Sequence, residues 1–128
     1  NKVSINIDGT NHLEFTKNNI EKLNKYNKNF TLVKGSSYSI ETIEKVKKIT
    51  NSIDLLFIDG DHSEHGVTQD FLKYKDFITK NGIIVFDNYG QPNMWPGVKK
   101  GLDKINFGEY GFEVKGQLGW SLFVEKII

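Results

Sequence analysis

The feature that most constrains the fold of this chain is a regular alternation of strand-like and helix-like stretches. Runs rich in Ile, Val, Leu and Phe alternate with stretches in which apolar residues recur at helical spacing. This order predicts βαβ units, a Rossmann-like α/β fold with a mainly parallel sheet, and right-handed crossovers that place helices on both faces. Two further strand-like runs around a Gly-rich turn predict a C-terminal antiparallel hairpin. Strands are predicted at 2–8, 30–35, 53–59 and 83–88, and helices at 11–26, 39–49, 64–78 and 97–105.

Several local features sharpen this prediction. The runs 53–59 and 83–88 are almost wholly apolar, which is typical of strands covered on both faces. The Asn81–Gly82 pair predicts a turn, and Pro96 suits the first turn of a helix. Trp120 is expected in the core. In the second helix, Ser39 is the predicted N-cap and the apolar stripe is Ile40, Ile43, Val46 and Ile49.

Composition limits the classes of function. The chain has 128 residues, a formal net charge of +1 and no cysteine, so disulfides, zinc–thiolate sites and cysteine nucleophiles are excluded. The charge balance gives no reason to expect a nucleic-acid or membrane-surface partner, and no apolar run approaches a membrane span. We expect one cytoplasmic domain over 1–128, part of a longer domain because the chain begins at Asn1. A homo-oligomer is compatible with the sequence.

Polar side chains follow two of the predicted strands. Asp59, Asp61 and His62 follow the third strand, and Asp87 and Asn88 follow the fourth. Ligands of parallel α/β sheets bind beyond the carboxyl ends of the strands, and oxygen donors of this kind suit Mg²⁺ or another divalent cation. The alternative is that these residues only cap turns and helices. His62 could accept a proton near neutral pH, or serve only as a hydrogen-bonding neighbour. His12 and His65 are expected at the surface.

Three other groups of residues are candidates for ligand binding. Asn6 and Asp8 end the first strand, where they could accept hydrogen bonds from ribose hydroxyls or simply form a turn. Gly35 allows a close approach to a flat ligand, and Ser36 or Ser37 could bond an adenine edge. In the loop after Asn88, Tyr89, Met94 and Trp95 could form an apolar wall for a substrate; the alternative for Trp95 is that it plugs the edge of the core.

The run DLLFIDGDHSEHGVTQDFLKYKDFITKNGIIVFDNYG, from Asp54 to Gly90, resembles the class I S-adenosylmethionine-dependent methyltransferases. It is most similar to the small O-methyltransferases of the catechol and caffeoyl-CoA type and to an "IDGDH" group related to sugar and antibiotic methyltransferases. The resemblance implies the class I methyltransferase fold, without the first strand of that fold and the Gly-rich loop that follows it. It also implies Mg²⁺ binding by Asp59, Asp87 and Asn88, and a base at His62, where the family often has Lys.

For the cofactor, the resemblance implies ribose contacts near Asn6 or Asp8 and adenine contacts near Ser36 and Ser37. We add Gly35 and Asp59 to the cofactor-binding residues, and Tyr89 and Trp95 to the substrate-binding residues. The predicted function is therefore Mg²⁺-assisted methyl transfer from S-adenosylmethionine to a hydroxyl of a small molecule or sugar.

Three alternatives stay open: a metal-independent methyltransferase, a non-catalytic Rossmann-like nucleotide-binding module, and a metal-dependent phosphoesterase. The phosphoesterase is least favoured, because two-metal hydrolases need more Asp and His clusters than a chain with three histidines offers.

Overall fold

A computed structural model describes residues 4–8, 13–23 and 30–128, which belong to two compact units, Asn1–Ile49 and Thr50–Ile128. In the N-terminal unit, β1 and β2 pair in parallel, with Asn6 opposite Leu32 and Asp8 opposite Lys34. The predicted β-α-β-α order is confirmed. The elements of this unit are β1 Ser4–Asp8, α1 Leu13–Leu23, β2 Phe30–Lys34 and α2 Ile40–Ile49.

Helix α2 begins where its capping residue predicts. The Ser39 hydroxyl accepts a hydrogen bond from the Thr42 backbone N–H at 3.2 Å, and it donates to Thr42 Oγ1 at 2.9 Å. Ile43 and Val46 are buried as expected. The expectation for Ile40 was wrong: its side chain is 76% exposed, because it lies at the N-terminal end of the helix, ahead of the buried turn.

The C-terminal unit carries a four-stranded sheet in the order β3-β4-β6-β5. Strands β3 and β4 are parallel, whereas β6 runs antiparallel to both β4 and β5. The α/β class and the C-terminal hairpin are therefore confirmed. The elements are β3 Ile53–Ile58, α3 Glu64–Tyr74, a 3₁₀ turn Lys75–Phe77, β4 Ile78–Phe86, α4 Pro96–Asp103, a second 3₁₀ turn Phe107–Tyr110, β5 Phe112–Leu118 and β6 Ser121–Lys126.

One face of this sheet packs on α3 and α4. Alternate strand residues, including Ile84 and Phe86 of β4, form a single buried cluster with Val67 and Phe71 of α3 and Leu102 of α4. Phe71 is completely buried at the centre of four aromatic rings, each with its centroid within 6.3 Å. This cluster fixes both helices against the sheet and so fixes the loops at their N-termini.

The prediction that β3 is covered on both faces was wrong. Leu55 and Phe57, which point away from α3 and α4, are 65% and 57% exposed. They pair with Ile83 and Val85 of β4, so the apolar character of this second face extends across two strands. The apolar run identifies a strand but does not show which of its faces a neighbouring element covers.

The Asn81–Gly82 pair lies inside β4 and not in a turn before it. Asn81 adopts a left-handed conformation with φ of 65°, and the pairing with β3 shifts register between Ile78 and Ile83. The pair therefore forms an irregularity within the strand. Ile78, predicted as the last residue of a helix, is the first residue of β4. Within the described part of the chain, no helix is long and apolar enough to cross a membrane.

Candidate functional site

The carboxyl ends of β3 and β4 lie side by side. Ile58 is paired with Phe86 across the two parallel strands, and the Asp87 backbone N–H donates to the Ile58 carbonyl at 3.0 Å. Asp59 and Asp87 are the next residues along each strand, so the structure places both at one edge of the sheet. This arrangement follows from parallel pairing in register, because the ends of two such strands must meet at the same edge.

Asp59 and His62 form a pair on the loop that follows β3. Asp59 Oδ1 lies 3.1 Å from His62 Nε2, and the imidazole ring centroid lies 4.2 Å from the Trp95 ring centroid. The two side chains are partly accessible, at 46% for Asp59 and 25% for His62. If Nε2 carries the proton that Asp59 accepts, Nδ1 of the neutral ring is left as a proton acceptor. The pair thus has the composition of an oriented general base.

Asp61 serves the start of α3. Its Oδ1 accepts the Ser63 backbone N–H at 2.9 Å, and Ser63 Oγ accepts the Gly66 N–H at 2.9 Å as the helix N-cap. A Cβ at Gly66 would lie 2.4 Å from the carboxyl carbon of Asp61, so a larger residue there would displace the Asp61 side chain. Of Asp59, Asp61 and His62, Asp61 is thus the one whose carboxylate bonds the N-cap residue of α3.

Helix α4 approaches the loop after β3 without an intervening side chain. A Cβ at Gly97 would lie 2.6 Å from the His62 carbonyl oxygen and 2.7 Å from the Glu64 nitrogen. The same close packing continues one turn later, where a Cβ at Gly101 would lie 2.9 Å from the Glu64 carbonyl oxygen. Lys104, the residue that follows α4, also forms an ion pair with Glu64. These contacts fix the backbone that carries His62.

The Asp87–Asn88 turn is held by its own hydrogen bonds. Asp87 Oδ1 accepts a long hydrogen bond of 3.2 Å from Ser121 Oγ. Asn88 adopts a left-handed conformation with φ of 61°, and its Nδ2 donates to Gln91 Oε1 at 2.7 Å. Because the amide nitrogen faces Gln91, the amide oxygen points to the other side of the Asn88 side chain. The Gln91 carbonyl accepts the Trp95 N–H at 2.8 Å, which shapes the rest of the loop.

Tyr89 connects this turn to α4. Its hydroxyl donates to Asp103 Oδ1 at 2.7 Å and accepts from Lys99 Nζ at 3.1 Å. Lys99 Nζ also bonds Asp103 Oδ2 at 2.6 Å and lies 4.6 Å from the Tyr89 ring centroid. The hydrogen bond from Lys99, and to a smaller extent that from Tyr89, lowers the pKa of Asp103. The pKa of Lys99 is raised, mainly by its hydrogen bond to Asp103. The sequence prediction did not include Lys99 or Asp103, although their i,i+4 spacing on a predicted helix is visible.

Two tryptophans lie beside these loops. Trp95 is 37% exposed and its ring contacts the His62 ring at a tilted angle, so it does not plug the core. The core assignment of Trp120 was wrong, because this residue is 60% exposed in the two-residue turn between Leu118 and Ser121. The Trp120 carbonyl accepts the Gly90 N–H at 3.0 Å, which ties that turn to the loop after β4. Nothing in the sequence pattern marked Ser121 as a neighbour of Asp87 or Trp120 as a neighbour of Gly90.

Apart from Asp59, the cofactor candidates lie in the N-terminal unit. Asp8 is paired with Lys34, so the first strand ends beside the segment that contains Gly35, Ser36 and Ser37. Gly35 has φ of 153°, and a Cβ there would lie 2.2 Å from Thr42 Oγ1, so glycine is required. Ser36 is exposed. The side chains of Asn6 and Asp8, and the whole of His12, lie outside the described part of the structure.

Within residues 4–8, 13–23 and 30–128, no three His, Cys, Asp or Glu side chains converge in an arrangement suited to a metal ion. The candidate donor set at the sheet edge is instead two carboxylates, Asp59 and Asp87, with the amide oxygen of Asn88. One or two carboxylates completed by other oxygen ligands is a normal composition for a Mg²⁺ site. The chemistry of these residues therefore fits the ion that the sequence resemblance implies.

The chain belongs to a methyltransferase family. The family model described as "Methyltransferase domain" matches residues 3–89, which include both strand ends of the candidate site.

One curated protein is similar to most of the chain. The chain is 37% identical over 110 residues to an uncharacterized protein of Acanthamoeba polyphaga mimivirus, covering 80% of this chain and 50% of the viral protein. It thus spans half the length of that relative.

Two solved structures show the fold. An O-methyltransferase from Bacillus cereus in complex with SAH matches with a TM-score of 0.71 at 16% identity, over 96% of this chain and 61% of that one. MycE methyltransferase of the mycinamycin biosynthetic pathway, in complex with Mg, SAH and mycinamycin VI, matches with a TM-score of 0.62 at 17% identity, over 96% and 36%. The class I methyltransferase fold expected from the sequence is confirmed.

Proposed function

We propose that the protein is an S-adenosylmethionine-dependent O-methyltransferase that acts on a hydroxyl of a small molecule or sugar. The observation that carries this proposal is the pairing of the β3 and β4 ends, which brings Asp59 and Asp87 to one edge of the sheet, with His62 bonded to Asp59 and Asn88 next to Asp87 in the chain. Membership of the methyltransferase family and the likeness to an O-methyltransferase fold support it.

S-adenosylmethionine, when bound, supplies an electrophilic methyl group, and its transfer to a hydroxyl oxygen leaves S-adenosylhomocysteine and releases the hydroxyl proton. His62 takes up that proton through Nδ1, while Asp59 accepts the hydrogen bond from Nε2 and holds the ring in orientation. The Trp95 ring packs against the imidazole and restricts its rotation. Most of the rate acceleration comes from holding the reactants in place, which suits rigid loops at the ends of strands.

Asp59, Asp87 and Asn88 would hold a Mg²⁺ ion, and the neighbour MycE contains Mg in its solved structure. The ion would lower the pKa of a hydroxyl bound next to it, and so make the acceptor a better nucleophile. Asp59 can serve the ion and His62 together, because its Oδ1 faces the imidazole and its Oδ2 is a second acceptor.

For the cofactor, we propose ribose contacts at Asn6 or Asp8 and adenine contacts at Ser36 and Ser37. Gly35 would let the cofactor approach the backbone closely. Asp59 is a further proposed cofactor-binding residue, three positions before the proposed base His62. For the acceptor, we propose an apolar wall of Trp95 and the ring of Tyr89. The Tyr89 hydroxyl is already engaged with Asp103 and Lys99, so only its ring is offered to the acceptor.

Isothermal calorimetry with S-adenosylhomocysteine and transfer of a labelled methyl group to a panel of hydroxyl compounds test the proposal. We expect binding, and transfer that is lost on chelation with EDTA and in Asp87→Asn. Asp76→Asn is the matched control, because Asp76 is an 80%-exposed carboxylate that pairs with the neighbouring Lys75.

The outcomes separate the alternatives. Transfer that survives both EDTA and Asp87→Asn would identify a metal-independent methyltransferase. Binding of S-adenosylhomocysteine without transfer to any acceptor would favour a nucleotide-binding module. Failure to bind S-adenosylhomocysteine would reject the proposal.

A further inference from the structure

We propose that Tyr89, Lys99 and Asp103 form a positioning cluster that fastens the Asp87–Asn88 turn to helix α4. The catalytic consequence of this inference rests on the proposed function, whereas its structural part can be measured without it. None of the three residues needs to touch a reactant for the cluster to act. Lys99 and Asp103 of α4 would thereby help to position the Asp87–Asn88 turn, which lies at the start of the loop that leads to this helix.

The contacts within the cluster are complete and mutually supporting. Tyr89 and Lys99 each reach a different oxygen of the Asp103 carboxylate, at 2.7 and 2.6 Å, and they bond each other at 3.1 Å. The ammonium group of Lys99 also lies 4.6 Å from the centre of the Tyr89 ring. A closed triangle of charge-assisted bonds defines one geometry for the tyrosine side chain, whereas an isolated exposed ion pair leaves many.

The position of Tyr89 makes this geometry relevant to the site. Tyr89 directly follows Asp87 and Asn88, and the strained left-handed backbone of Asn88 lies between it and the strand. The residue is half-buried, and its ring packs against the hydrophobic core. Fixing the end of this side chain on α4 therefore limits the freedom of the turn that presents the Asp87 carboxylate and the Asn88 amide.

Helix α4 also contacts the other half of the site. Gly97 brings its first turn against the His62 carbonyl, and Trp95, just before the helix, packs on the His62 ring. The same short helix thus contacts the loop after β3 at its N-terminus and the loop after β4 through Lys99 and Asp103. We infer that α4 sets the spacing between the Asp59–His62 pair and the Asp87–Asn88 turn.

Hydrogen–deuterium exchange of the whole chain tests the structural part. Tyr89→Phe keeps the ring and removes the hydroxyl, and Asp103→Asn keeps the shape and removes the charge. We expect each to accelerate exchange at the Gly90 and Gln91 amides by about threefold to tenfold. The Val67 amide of α3 should not change. The matched control is Glu41→Gln in α2. It removes an exposed i,i+4 ion pair with Lys45, whose N–O distance of 2.7 Å is close to those within the cluster.

Unchanged exchange at Gly90 and Gln91 would overturn the inference. So would equal acceleration at Val67, because that result means general destabilisation and not release of one turn.

Manganese binding, followed by electron paramagnetic resonance, tests the link to the site. We expect wild type and Glu41→Gln to bind Mn²⁺ equally, and Tyr89→Phe and Asp103→Asn to bind it about threefold to tenfold more weakly. Equal affinity in all four proteins would overturn the positioning role. If wild type binds no Mn²⁺ while exchange at Gly90 and Gln91 responds as expected, the cluster stands and the proposed metal site fails.

Discussion

Replacing Gly97 with alanine should destabilise the protein and disturb His62 at the same time. The added Cβ would lie 2.6 Å from the His62 carbonyl oxygen, 2.7 Å from the Glu64 nitrogen and 3.0 Å from the Ser63 carbonyl carbon. These atoms all belong to the backbone, so no flexible side chain can move aside. Relief requires α4 and the 62–64 loop to separate by about 0.8 Å to reach ordinary contact.

Overpacking of this kind costs about 1–3 kcal/mol. For a chain of this size, each kcal/mol lowers the melting temperature by about 3–5 °C. Gly108→Ala is the matched control, because the nearest atom to a Cβ there is Asn106 Oδ1 at 3.6 Å, an ordinary contact. We expect Gly108→Ala to melt at or slightly above the wild-type temperature, since alanine reduces the entropy of the unfolded chain.

Thermal unfolding followed by circular dichroism measures the stability effect. Fluorescence of Trp95 in a Trp120→Phe background reports whether its contact with His62 is retained. Melting of Gly97→Ala within about 1 °C of Gly108→Ala, with unchanged Trp95 emission, would refute the close packing of α4 on the His62 loop.

Three other predictions concern the core, the tyrosine cluster and the exposed sheet face. Phe71→Ala should lower the free energy of unfolding in urea by about 3–5 kcal/mol, because the ring is fully buried among four aromatic neighbours; a loss below about 1 kcal/mol would contradict that packing. The pKa of Asp103 is lowered in the folded state, so its contribution to stability is present above the ordinary carboxyl pKa of 3.8 and is lost as the pH falls through the lowered value. The difference in melting temperature between wild type and Asp103→Asn should therefore shrink on acidification below pH 3.8, and a growing difference would contradict the ion pair. Phe57→Ser should change the unfolding free energy by less than about 0.5 kcal/mol, since the side chain is 57% exposed, and a loss comparable to that of Phe71→Ala would show that the face is covered.

Much of the fold could be predicted because its signals are local. Apolar runs and helical spacing located the strands and helices, Ser39 marked the start of α2, and Pro96 marked the start of α4. Coverage of a sheet face is not local. The run around Leu55 and Phe57 has the composition of a buried strand, yet α3 and α4 both pack on its other face. An apolar sequence identifies residues that can be buried, but it does not show which helix or strand will cover them.

The candidate site shows the same division. Asp59 and Asp87 could be placed at one edge because parallel neighbours must end together, and the pairing of Ile58 with Phe86 confirms that the strands are neighbours. The bond between Tyr89 and Asp103 depends on how α4 packs, which no spacing rule supplies. The turn that carries Trp120 returns beside Gly90 for the same reason. Contacts made by packing of distant segments were thus the part that sequence could not provide.

A double-mutant cycle on Mn²⁺ affinity tests the central claim most directly, namely that the ends of β3 and β4 build one site. Asp59→Asn and Asp87→Asn are compared singly and together by electron paramagnetic resonance. If both carboxylates serve one ion, each single change weakens binding by at least about tenfold and the double variant is little worse than either. Binding that responds to only one of the two carboxylates, or two effects that multiply as at independent sites, would contradict the claim.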